Sequence, residues 1–190
     1  MTGSTLNMHY TIADPKTFGI SEYEPVLPIY HSDQPEDSKE HCSDLLHRLD
    51  RIDPDRLSPE NAYTYRLLHR SLENDLALAD FPYYNEPLSP SSGMQSQLPV
   101  LLAEYTFRTK RDVTDYLALL DQIDDYFASL LLYEQEKAAA GFFMPACSSE
   151  KVRKQCDTIV TTEELAQGTH FLQTTFEDRL SELQKQGLFT

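Results

Sequence analysis

Basic residues are scarce in this chain. Sixteen lysines and arginines stand against 31 aspartates and glutamates, a formal charge of −15. Binding a nucleic-acid backbone needs a basic face, so that class of partner is disfavoured. An anionic membrane surface is disfavoured for the same reason. The acid excess reads as a solubility feature. Long apolar runs are missing too, and nothing approaches the ~20 residues of a membrane-spanning helix. The opening "MTGSTLNMHYTIADP" has neither a basic start nor an apolar run, so no signal peptide is read in it. The three cysteines, Cys42, Cys147 and Cys156, are odd in number and widely spaced. They form no disulfide framework and match no common zinc spacing, and they read as reduced, mostly buried thiols.

Catalytic spacings are equally thin. With six glycines there is no phosphate-cradling loop and no Gly-x-Ser-x-Gly elbow. The histidines are His9, His31, His41, His47, His69 and His170. No two stand at i, i+4 with a glutamate between them, so the zinc-peptidase helix signature is absent. Cys147, in "PACSSEK", has no histidine beside it in sequence and makes a poor nucleophile candidate.

What is present is an ordinary globular composition, 40% hydrophobic over 190 residues, enough for one domain with a core. Residues 1–35 read as an extended, irregular arm. Pro15, Gly19, Pro25 and Pro28 are too dense there for a long helix. Residues 36–190 read as a helical region. Cys42, Leu45, Leu46, Leu49 and Ile52 form one apolar stripe that Asp53-Pro54 terminates. Ser58-Pro59 is a helix start, and Tyr65, Leu68, Leu72 and Leu76 carry that helix to about Asp80. The apolar run from Leu98 to Phe107 leans to helix by propensity. One long helix is expected over about 112–137, capped by Asp112 and stopped or kinked at Gly141. Two more are expected at about 148–164 and 169–185, with Gly187 as a stop. The chain therefore reads as all-α: an irregular N-terminal arm followed by a bundle of five or six helices.

Between Tyr83 and Tyr105 runs "YYNEPLSPSSGMQSQLPVLLAEY", too aromatic for a flexible linker. Taken residue by residue, its features have plain explanations. Glu86 and Glu104 are carboxylates near aromatics, and a salt bridge or polar helix face accounts for Glu104. Tyr83 and Tyr84 suit packing more readily than ligand stacking. Arg108, Lys110 and Arg111 read as a solvated turn.

Taken together, the segments resemble a bacterial family, domain of unknown function 885. The resemblance rests on "NMHYTIADPKTFGI", "YYNEPLSPSSGMQSQLPVLLAEYTF", "DVTDYLALLDQIDDYF", "EQEKAAAGFFMP", "QCDTIV" and "FLQTTFEDRL", and spans about Leu6 to Leu183. It implies a mainly helical, zinc-dependent, peptidase-like hydrolase. Members are much longer, and their His-Glu-x-x-x-Gly-His motif lies in the later part. That motif has no counterpart here, so no catalytic residue or metal ligand is assigned in this chain. The chain is then expected to be the N-terminal, cleft-forming portion, inactive alone, with zinc, a catalytic part and a peptide-like substrate belonging to the complete protein. Relatives often carry a lipoprotein or secretion signal, which leaves cytoplasm and cell surface both open. On this view Pro82–Pro99 is ordered and faces the cleft, with Tyr83, Tyr84, Gln95, Gln97, Glu104 and Tyr105 as candidate lining residues. The alternative is a self-standing acidic helical interaction module.

Overall fold

The computed structural model describes residues 5–30 and 34–188. His31 and the terminal Phe189-Thr190 lie outside the described residues. The described chain is all-α, with no strand. Helices α1 (Thr5–Thr11), α2 (Gln34–Leu49) and α3 (Pro59–Leu78) come first, then α4 (Met94–Glu104), α5 (Lys110–Leu120) and α6 (Ile123–Ala139). Helices α7 (Ala146–Ile159), α8 (Thr162–Gln167) and α9 (Phe171–Lys185) complete the chain. That is more than the five or six expected, because two expected helices are broken and α1 was not foreseen.

Several boundaries fall where the sequence puts them. The Ser58 hydroxyl accepts a hydrogen bond from Asn61 N, and Pro59 opens α3. Gly141 and Gly187 follow the last turns of α6 and α9 with φ of 88° and 71°, a region that suits glycine. The start of α5 differs. Thr109, not Asp112, is the N-cap, and Asp112 closes a capping box by accepting from Thr109 N at 2.7 Å and Arg108 N at 2.9 Å.

The helix expected over about 112–137 is interrupted at Asp121 and Gln122. Its apolar periodicity continues through the break, but Gln122 has another task. Its amide donates to Pro25 O and Ala118 O, both at 2.8 Å, and its carbonyl accepts from Leu27 N at 3.0 Å. The break thus becomes a clamp for the N-terminal arm. The helix expected at about 148–164 likewise splits, with Thr161 capping α8.

The arm itself is not irregular at its start. Seven residues make a marginal helix in isolation, so α1 is held by what it touches. Leu6 and Ile12 are buried. The Tyr10 hydroxyl donates to Leu101 O on α4. His9 stacks on Tyr105 with ring centres 3.7 Å apart and is bonded through Nε2 to Thr106 O at 2.9 Å.

The main core gathers Leu6 and Leu27 of the arm with Leu98, Leu102, Tyr105, Val113, Tyr116, Leu119, Tyr126 and Leu183. Arg179 of α9 closes the end of α4. Its guanidinium donates to Leu102 O and Tyr105 O and lies over the rings of Phe107 and Tyr116. Helices α2 and α3 stand apart, with a small core of their own around Cys42, Leu49 and Leu72. Of the cysteines only Cys42 is buried. Cys147 and Cys156, both on α7, are exposed, so the mostly buried thiols expected are one buried and two exposed.

Burial of His9 has a pH consequence. Desolvation is the largest influence and lowers its pKa below 6.5; Asp112 opposes this, and Arg108, 3.3 Å from Nε2, reinforces it. A base with a depressed folded pKa contributes stability that is full above pH 6.5 and is lost as pH falls through the folded value. Docking of α1 is therefore expected to weaken in acid. Chemical denaturation at pH 7.5 and pH 5 should show a stability loss that His9→Gln reduces. An equal acid loss in that variant would assign the effect elsewhere.

Candidate functional site

Between α3 and α4 the chain makes a tight 3-10 turn at Pro82–Tyr84 and then runs extended. Such a segment exposes backbone carbonyls that need partners. Here α6 and α7 supply them. The Tyr133 hydroxyl reaches Pro82 O at 2.7 Å and Asn85 O at 3.2 Å. Lys137 Nζ donates to Asn85 O at 3.2 Å and to Glu86 Oε2 at 2.8 Å. Lys137 is only 3% exposed, which is rare for a lysine. Gln95 donates to Ser89 O at 2.7 Å and to Gln155 Oε1 at 2.9 Å, while Gln155 donates to Pro90 O at 2.8 Å. Two backbone bonds, Gly93 N to Ser89 O and Met94 N to Pro87 O, complete the turn into α4.

These clamps hold an aromatic patch at the surface. Tyr83 packs against Tyr133 and Phe142, with centroids at 6.1 and 5.9 Å. Tyr84 meets Phe142 at 5.5 Å and Phe81 at 5.4 Å. Phe142 is delivered by the turn at Gly141. Tyr84 is 71% exposed and Phe143 73%, with Phe81 and Phe142 exposed as well.

The electrostatics below the patch follow from burial. Desolvation raises the Tyr133 hydroxyl to about 12, helped by the nearby Glu134 and Glu86 carboxylates. Burial also raises Glu134, against the pull of Lys137. One Glu134 oxygen is enclosed without a hydrogen-bond partner.

The six candidate lining residues do not share one surface. Tyr83 and Tyr84 belong to the aromatic patch. Gln95 is buried beneath the segment as a clamp. Gln97 and Glu104 are exposed on α4, and Tyr105 is fully buried in the core against His9. Lys137, Tyr133, Gln155 and Phe142 were not anticipated. A signal for Lys137 was present: Leu130, Tyr133 and Lys137 keep the 3–4 spacing of the buried face of α6. Arg111, expected as part of a solvated turn, lies 4.1 Å over the Tyr23 ring and bonds Tyr23 O and Asp115.

No three His, Cys, Asp or Glu side chains gather as a metal site among the described residues. His69 has both ring nitrogens occupied by carboxylates, Asp50 at 3.2 Å and Glu73 at 3.3 Å. Arg108 stands beside His9. The side chains among the described residues offer no set that fits zinc. No helix among the described residues is long and apolar enough to cross a membrane.

Compared with known families, residues 16–188 match the one described as "Bacterial protein of unknown function (DUF885)". No curated protein and no solved structure matches. The family match covers most of the chain, and the chain belongs to that family.

Proposed function

We propose that this member of the DUF885 family is the N-terminal, cleft-forming helical region of a zinc-dependent, peptidase-like hydrolase. It supplies a wall of the substrate site and no metal ligand. The observation that carries this reading is the 82–99 segment. Side chains up to 65 residues away hold it in place, yet it presents the exposed Tyr84 ring beside those of Phe81 and Phe142. Fixing a loop against entropy of ~1–2 kcal/mol per residue is a cost that pure connection does not require. Rigid aromatic rings on a fixed loop give contact area for apolar or peptide groups at little further cost.

Substitution in the complete, zinc-loaded protein tests this. Tyr84→Ala, and separately Gln97→Ala, should each raise KM several-fold while leaving kcat within about twofold, the pattern of lost ground-state binding. Unchanged kinetics in both variants would remove the segment from the substrate site.

A further inference from the structure

Helix α3 carries two apolar faces. One side, with Leu72 buried and Tyr65 and Leu76 half-buried, packs on α2. At about 100° per residue, Tyr63 lies on the opposite side from Leu72. Tyr63, Leu67 and Leu78 are all exposed there, Leu78 by 63%, and Phe81 follows just beyond the helix end. Helices α2 and α3 pack extensively only on each other among the described residues. Their shared core has three buried residues among those described, too few to stabilise a helical pair well by itself. The accessible surface of the chain is 12840 Å². A compact monomer of 21.8 kDa is expected to show roughly 9,300 Å². That excess, summed over the whole chain, leaves room for an interface of the ~800 Å² per partner that a standard one buries.

We propose that this face of α3 binds the same face of a second copy of the chain, antiparallel, so that two α2–α3 hairpins line up as one four-helix layer with the two α3 helices at its centre. The order of side chains along the stripe selects this occupant. Its members are Tyr63, Leu67, Arg70, Asn74, Leu78 and Phe81. Reversed against itself, the stripe sets Leu67 opposite the partner's Leu78 and Arg70 opposite the partner's Asn74, with Tyr63 toward the end of the partner helix that Phe81 follows. Leucine meets leucine, aromatic rings lie toward both ends, and polar groups meet at the two-fold axis. A two-fold interface demands this self-complementarity. Arg70 has no ion-pair partner among the described residues, and the same register brings it beside the partner's Glu73, on the same flank of the helix. Among the described residues Glu73 pairs within the protomer with His69, 3.3 Å away on the exposed surface. Antiparallel α3 helices also set their dipoles head to tail.

Sedimentation of the full chain on the order of 100 µM tests the proposal. The wild type should run at twice 21.8 kDa. Leu67→Glu, at an exposed position, should leave helicity unchanged and weaken association at least tenfold, and Leu78→Glu should do the same. Arg70→Glu and Glu73→Arg should each weaken the dimer, and the two combined should restore it. A monomeric wild type, or a dimer indifferent to both leucine variants, overturns the proposal and assigns this face to some other partner. A charge pair that fails to restore association overturns the register.

Discussion

Gly93→Ala is expected to unseat the 82–99 segment and destabilise the protein by about 2 kcal/mol, as overpacking does. For a chain of this size that lowers the melting temperature by roughly 4–8 °C. The backbone of Gly93 is unstrained, with φ of −74°. Space is what is lacking. A Cβ there would fall well inside contact with Gln95 Oε1 and Ser89 N, and 2.6 Å from Ser89 O. Two of those atoms are backbone and cannot swing aside. The third belongs to Gln95, itself held by Ser89 O and Gln155. Relief therefore requires the turn to open, which also breaks the Gly93 N and Met94 N bonds. Thermal melting gives the size of the effect, and limited proteolysis its location, with new cleavage between Pro82 and Gly93. A variant that melts like the wild type would show that the turn has room the structure denies.

The second large effect is expected from Lys137→Met. The substitution keeps the apolar stem and removes the ammonium that ties α6 to Asn85 O and Glu86. Breaking a fully buried charge pair costs about 3–5 kcal/mol. The Glu86 side chain is 36% exposed and can rehydrate, so about 2 kcal/mol is expected here. Tyr133→Phe should cost less, about 1 kcal/mol, because Lys137 still serves Asn85 O. Combining Lys137→Met with Glu86→Gln should be less than additive, since both remove one interaction. Denaturant titration of the four variants measures this. Strict additivity would mean that the pair contributes nothing as a pair.

Both variants act on the 82–99 segment, which side chains remote in sequence hold in place. That also explains how much of the molecule was legible beforehand. Helical class, the Ser58-Pro59 start and the glycine stops follow from local chemistry, and each could be read in a few residues. The interruption at Asp121-Gln122 could not, since the apolar spacing from Val113 to Leu131 runs through it and the cause is Pro25 and Leu27, nearly a hundred positions away. Helix α1 is too short to announce itself and exists through Tyr105, Thr106 and Leu101. Thr109 was hidden by Asp112, the stronger-looking cap, because the two act as a reciprocal pair. Of the candidate lining residues, Tyr83 and Tyr84 were brought to one exposed patch. Gln95 and Tyr105 were drawn inside, the first to satisfy a carbonyl and the second to fill the core. Sequence proximity to the turn did not distinguish those roles.

The functional reading rests on a family match and on an ordered segment that presents aromatic rings. Reading the coding region beyond Thr190 tests it most directly. The account predicts that the frame continues into a His-Glu-x-x-x-Gly-His motif able to bind zinc. A stop codon directly after Thr190 would contradict it, and the chain would then be better understood as a helical interaction module.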